Sequence, residues 1–201
     1  MAEDHYFTAD PSVAFTREPV RVSVWGQEFS VNSGSGVFSR GRVDSGTAVL
    51  FRETEPPSPG RILDLGCGYG AIGLTIARAV PGAQVTAVDV NERALLLARA
   101  NAASLGVADR FTASLPDEVD PTATYDEIWS NPPIRVGKEA LHDLLLRWLP
   151  RLTPQGRAVL VVGKNLGADS LQRWLGEQGW PTQRLASAKG FRVLEARRAD
   201  Q

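Results

Sequence analysis

An α/β fold, a mostly parallel seven-stranded sheet with helices on both faces, is predicted by three observations. From residue 61 onward, short apolar runs alternate with apolar-periodic helical segments, the pattern of a parallel sheet covered on both sides. The first of these runs, with Ile62, Leu63 and Leu65, breaks into Gly66, Gly68 and Gly70. A segment with Ile72, Leu74 and Ile76 follows, so the unit is a Rossmann-like strand, tight turn and helix. The last two runs, near 182–186 and 191–196, meet around Lys189-Gly190 with no helix between them. They pair antiparallel and reverse one strand near the edge.

Each element carries its own signal. Apolar and polar residues alternate over 20–24, and the alternation resumes at Phe29 and Val31 after Trp25-Gly26-Gln27. That is a β-hairpin, and because it precedes the glycine turn it lies outside the central sheet. A glycine- and serine-rich loop over 32–42 leads to Asp44-Ser45-Gly46-Thr47 and the apolar Ala48, Val49, Leu50 and Phe51. Asp44 or Ser45 is placed to cap a short helix there. The proline-rich break over 55–60 divides an extension, residues 1–57, from a core, residues 58–201. After a strand over 84–88, Asn91 caps a helix to about residue 105, with Leu95, Leu96 and Ala98 expected inward. Strands follow at 111–115 and 125–129. Leu141, Leu144, Leu145 and Trp148 form one helix face, stopped by Pro150. Pro154-Gln155-Gly156 reads as a turn before a buried strand over 158–162, and Leu171, Trp174 and Leu175 mark a last helix, ended at Gly179.

Composition narrows the function. The 201 residues suit one ordinary domain, and the net charge of −1 is not that of a protein that coats nucleic acid, so an RNA partner would have to meet a local basic patch. Cys67 is the single cysteine, which excludes an internal disulfide and fits a reducing compartment. It reads as a small residue in a crowded turn, not as a nucleophile. The amino terminus is unlike a secretory signal and no apolar run is long enough to span a membrane. A cytoplasmic protein is expected, without metal or membrane.

The chemistry concentrates at one sheet edge. Glycine reaches backbone angles closed to other residues and keeps a ligand close to the main chain. Asp64 stands just before the turn, and Asp89 ends the second strand 23 residues beyond Gly66, the spacing of an acid that accepts hydrogen bonds from ribose hydroxyls. At this point a nicotinamide dinucleotide and S-adenosylmethionine both fit. Ser130-Asn131-Pro132-Pro133-Ile134 closes the fourth strand on the same edge. The two prolines remove two donors and leave acceptors, the Asn131 side-chain oxygen and the Pro132 carbonyl. Acceptors held rigidly beside a cofactor suit a planar NH₂ group. They pull its hydrogens to one side and aim its lone pair at an electrophile, so positioning supplies most of the rate.

Asp64-Leu65-Gly66-Cys67-Gly68-Tyr69-Gly70, Asp89 and Asn131-Pro132-Pro133 together resemble a class I S-adenosylmethionine-dependent methyltransferase. Gly36-Val37-Phe38-Ser39, Asp44-Ser45-Gly46-Thr47 and Asn131 to Lys138 are more specifically similar to the small-subunit ribosomal RNA guanine-N2 methyltransferase family, in a single-domain form. The resemblance covers residues 15–196. It implies S-adenosylmethionine as cofactor, with Asp64, Gly66, Cys67 and Gly68 around the methionine part and Thr47 close by. It also implies Asp89 on the ribose, Val90 against the adenine and Ser114 near the adenine amino group, where many relatives have an acid. Asn131, Pro132 and Pro133 would orient the target amine, with Ile134 where relatives carry a stacking aromatic ring.

Guanine in ribosomal RNA, free or in the small subunit, is the expected target. Phe38, Arg40 and Arg42 on the loop, with Arg135 and Lys138 after the prolines, would form the substrate rim, the cations meeting phosphates. Three alternatives stay open: a methyltransferase of adenine N6 or of a protein glutamine amide, a nicotinamide-dependent oxidoreductase, and a binding module without catalysis. The oxidoreductase leaves Asn131-Pro132-Pro133 unexplained, and His142 sits on a helix flank away from any evident acid–base pair. The oligomeric state is open, with a monomer favoured.

Overall fold

The computed structural model describes residues 17–34, 43–133 and 137–199. The expectations on Phe38, Arg40, Arg42, Ile134 and Arg135 therefore lie outside the described residues. Two strands, β1 (Arg17–Val24) and β2 (Gln27–Gly34), form a separate antiparallel hairpin. Its two-residue turn puts Trp25 and Gly26 at φ +48° and +72°, both left-handed as a tight hairpin turn requires. The seven-stranded sheet comprises β3 (Arg61–Leu65), β4 (Gln84–Val88), β5 (Phe111–Ser114), β6 (Tyr125–Ser130), β7 (Leu152–Gly163), β8 (Thr182–Ala188) and β9 (Phe191–Arg197). Its order is β5-β4-β3-β6-β7-β9-β8, with β9 antiparallel to both neighbours. The fold is the expected Rossmann-like one, with the reversed strand one place in from the edge.

Among the described residues, five α-helices cover the sheet: α1 (Ser45–Arg52), α2 (Ala71–Ala79), α3 (Glu92–Ser104), α4 (Lys138–Trp148) and α5 (Ala168–Glu177). Strand residues alternate between two cores. Ile62, Val85, Trp129, Val159 and Val193 pack with α1, α2, α3 and the hairpin valines, whereas Leu63, Ile128, Leu160 and Leu194 pack with α4 and α5. The hairpin is fastened to the first core by Trp25. Its Nε1 donates to the carbonyls of Phe51 (3.1 Å) and Thr54 (2.8 Å), and its ring meets Phe51 and Trp129 edge-on.

Two local expectations are corrected. Leu96 is 62% exposed, whereas Leu95, Leu97, Ala98, Asn101 and Ala102 are buried. Leu95 and Ala98 face inward as expected, whereas Leu96 points away from the sheet and Leu97 takes the buried place. Pro154-Gln155-Gly156 is not a turn between elements but lies inside β7. The register with β6 jumps from Tyr125↔Leu152 to Glu127↔Arg157, so the extra residues bulge out of an otherwise continuous strand.

A charged ladder crosses β6, β7 and β9. Arg157 bridges Glu127 and Glu195 at 3.0 Å each. Trp129 Nε1 also donates to Glu127 (2.8 Å), and Gln183 and Arg197 donate to Glu195 (2.8 and 2.9 Å). Burial pushes the Glu195 carboxyl up, but hydrogen bonds from Arg197, Arg157 and Gln183 outweigh it and hold the group below its ordinary value. Its contribution to stability is present at neutral pH and is lost as pH falls through that lowered value. Replacing Arg157 by Met leaves two buried carboxylates without their shared cation and is expected to cost about 3 kcal/mol in urea unfolding at neutral pH. The cost should shrink in acid, where a protonated Glu195 no longer needs the cation.

Candidate functional site

The glycine turn is pinned to the neighbouring strand before any ligand is considered. The backbone amides of Gly66 and Cys67 both donate to the carbonyl of Val88, the last residue of β4, at 2.8 and 3.0 Å. Gly68 donates to Asp89 Oδ2 at 2.8 Å, and Asn91 donates to Asp89 Oδ1 at 2.9 Å. Gly66 and Gly68 sit at φ +72° and +55°, the left-handed region that glycine enters without strain. Asp89 is thus buried and aligned at the carboxyl end of β4. Val90 beside it is 49% exposed, an apolar side chain presented to solvent at the mouth of the crevice. Ser114 ends β5 level with Val88 and is half-buried.

Asp64 lies in β3, two residues before the first glycine of the turn. It is fully buried. Its Oδ2 accepts from the Gly73 amide at 2.7 Å, which ties the end of β3 to the first turn of α2. Gly73 permits this approach, since a Cβ there would lie 2.9 Å from Asp64 Oδ2 and 2.9 Å from Val85. The other oxygen, Oδ1, is buried with no hydrogen-bond partner among the described residues. Burial, opposed by the Gly73 bond and helped by Asp89, pushes the Asp64 carboxyl up to about 7. A buried carboxylate oxygen without a partner beside a glycine turn is suited to a cationic group, so the residues present fit a cofactor with an ammonium and a ribose.

Cys67 is buried, and its thiol is pushed up by burial and by the nearby Asp64 and Asp89, the opposite of an activated nucleophile. Asn101 on α3 clamps the rear of the turn. It donates to the carbonyls of Tyr69 (3.1 Å) and Asn32 (2.9 Å) and accepts from the Asn32 amide (2.8 Å).

Asn131, Pro132 and Pro133 follow β6, which neighbours β3 where the sheet changes winding direction. Open α/β sheets carry their ligand crevice at this point. Ser130 Oγ donates to the Leu65 carbonyl at 2.6 Å. Pro133 leans over the turn, its Cδ 3.6 Å from where a Cβ on Gly66 would be. Asn131 Nδ2 donates to Asp44 Oδ2 (2.6 Å) and Thr47 Oγ1 (3.1 Å), so the start of α1 is brought onto the same edge. Asp44 also caps α1, with Oδ2 accepting from the amides of Gly46 and Thr47. Its contact with Asn131 spans 87 residues, and no sequence spacing signals it. Lys138, the first residue of α4, is exposed. Asp64, Gly66, Cys67, Gly68, Asp89, Val90, Ser114, Asn131 and Thr47 therefore gather along one edge. Among the described residues, no group of three or more His, Cys, Asp or Glu side chains is arranged to hold a metal, and no helix is long and apolar enough to cross a membrane.

The methyltransferase small domain family matches residues 28–195. The uncharacterised protein YbxB of Bacillus subtilis is 33% identical over 198 residues, covering 97% of this chain and 98% of that protein. Ribosomal RNA small subunit methyltransferase C of Pseudomonas aeruginosa is 35% identical over 178 residues, 86% of this chain but 52% of that protein. Among solved structures, the T. thermophilus 16S rRNA N2 G methyltransferase in complex with AdoMet and guanosine superposes with a TM-score of 0.75. It is 25% identical and covers 94% of this chain and 52% of that one. A methyltransferase from Pyrococcus furiosus, at 20% identity and a TM-score of 0.64 over 77% of this chain and 82% of that one, shares the fold. The chain thus spans about half the length of the ribosomal RNA methyltransferases it resembles.

Proposed function

The chain belongs to the methyltransferase small domain family and is an S-adenosylmethionine-dependent methyltransferase, and we propose that it methylates the exocyclic N2 amine of a guanine in small-subunit ribosomal RNA, in the cytoplasm. The observation that carries this reading is the docking of Asn131-Pro132-Pro133 on the glycine turn, through Ser130 to Leu65 and through Pro133 to Gly66. The half-length match to ribosomal RNA methyltransferases and the guanosine in the T. thermophilus complex support the same acceptor.

In this reading Asp64 Oδ1 receives the cofactor's ammonium, Asp89 the ribose hydroxyls, and Val90 and Ser114 flank the adenine. Cys67 fills the turn whose backbone, at Gly66 and Gly68, borders the methionine part. Thr47 supports the edge through Asn131. When bound, the cofactor supplies a sulfonium methyl: the amine lone pair forms the new carbon–nitrogen bond, and the carbon–sulfur pair stays on sulfur. Asn131 Oδ1 and the Pro132 carbonyl take the two amine hydrogens and hold the lone pair in line, and Pro133 keeps water from the approach. The methylated amine is acidic enough to lose its proton to water, so the chain needs no general base. Lys138, with Arg40, Arg42 and Arg135, would meet the RNA phosphates, and Phe38 and Ile134 the base.

Methyl label from S-adenosylmethionine should enter naked small-subunit RNA or assembled small subunits and be recovered as N2-methylguanosine. Label confined to an RNA-free protein extract would instead assign an amide target. With an active RNA substrate, Asn131→Ala should lower kcat on the order of 100-fold with cofactor affinity little changed. Retained activity would remove Asn131 from the mechanism.

Asp64 generates a pH prediction. With its carboxyl at about 7 in the free protein, pairing with an ammonium favours the ionised form and releases a proton on binding. Cofactor affinity should then rise with pH, by about tenfold per unit below 7, and level off above it. Calorimetry in buffers of different ionisation enthalpy reads both effects. A flat profile, as expected for Asp64→Asn, would place the ammonium elsewhere.

A further inference from the structure

Asp44 does more than cap a helix, and this inference rests on the reading of Asn131 as the acceptor for the target amine. An asparagine side chain has one oxygen and one nitrogen of similar shape, and only the oxygen can receive an N–H. Which of the two faces the substrate is decided behind the residue. There, Asp44 Oδ2 stands 2.6 Å from Asn131 Nδ2 and Thr47 Oγ1 stands 3.1 Å away. A carboxylate oxygen only accepts, so the atom facing it must be the nitrogen, and both amide hydrogens are spent on the α1 side. The same Oδ2 accepts from the amides of Gly46 at 2.8 Å and Thr47 at 3.3 Å, which fixes the carboxylate itself. Gly46 permits the approach, because a Cβ there would lie 3.0 Å from Asp44 Oδ2, 3.1 Å from Phe191 and 3.3 Å from Asn131 Nδ2.

We infer that Asp44 is a positioning residue for methyl transfer: it locks the Asn131 amide with its oxygen toward the acceptor, so that the site takes amine hydrogens and turns away a keto oxygen. The carboxylate has a second effect. Its negative charge lies one residue behind an amine that becomes positive during transfer, and it polarises the Asn131 amide so that Oδ1 is a stronger acceptor. The N-terminal segment thereby contributes to selection of the reacting group, although it lies outside the central sheet.

The test separates this role from capping. Serine caps a helix well but is too short to reach Asn131, so Asp44→Ser should preserve the fold, the melting temperature and cofactor affinity. It should lower kcat on RNA by on the order of 10- to 100-fold, with KM for RNA little changed. In an Asn131→Ala background the same substitution should have no further effect, whereas a merely structural role would add to it. An activity-independent readout is the Asn131 side-chain amide signal in nitrogen-15 NMR. Its hydrogens should exchange slowly in the wild type and fast in Asp44→Ser. Wild-type kcat in Asp44→Ser, additivity with Asn131→Ala, or an unaltered amide signal would each overturn the inference. A wild-type protein that labels no amine substrate would instead sink the reading of the site, and the amide signal would still decide the orientation.

Discussion

Two amides of the glycine turn, Gly66 and Cys67, share the carbonyl of Val88, and much of the site depends on that shared acceptor. It holds the turn against the end of β4, so Asp89 one residue later falls within reach of the Gly68 amide. With the turn held there, α2 starts where Gly73 can donate to Asp64. The left-handed angles at Gly66 and Gly68 are the local requirement that lets the amides turn back in this way. A ligand meets a surface organised by main-chain bonds, and ordering it costs little at the moment of binding.

Charge is distributed in the molecule by purpose. Glu127 and Glu195 are buried with Arg157 between them, so their charges are balanced and serve cohesion. Asp64 is buried and retains an oxygen, Oδ1, with no hydrogen-bond partner among the described residues. Such a group is costly in a folded protein unless something binds to it. The ladder satisfies its polar atoms internally, whereas among the described residues nothing satisfies Asp64 Oδ1.

The N-terminal hairpin and α1 look peripheral by topology but are joined to the site. Trp25 anchors the hairpin to the end of α1, Asn101 ties β2 to the back of the glycine turn, and Asp44 with Thr47 reaches Asn131. The extension is therefore bonded to the turn and to Asn131 alike.

By itself the sequence determined the strands, the glycine turn, the place of Asp89 and the Asn131-Pro132-Pro133 element. These rest on short-range rules: period two or period 3.6 in apolar residues, glycine where the backbone must turn left-handed, and a fixed distance from turn to acid. It also announced the antiparallel end strands, since apolar runs near 182–186 and 191–196 that meet around Lys189-Gly190 leave no room for a crossover helix. Only the tertiary structure decided that Leu97 and not Leu96 faces inward, because Leu95, Leu96 and Leu97 are identical consecutive side chains and packing against the sheet selects which of them is covered. It decided that Pro154-Gln155-Gly156 bulges within β7, because the partner strand, and not the local residues, sets the register. It joined Asp44 to Asn131 and Asn101 to Tyr69. Those bonds link residues 87 and 32 positions apart, and long-range hydrogen bonds between polar side chains have no spacing or period by which a single sequence could display them.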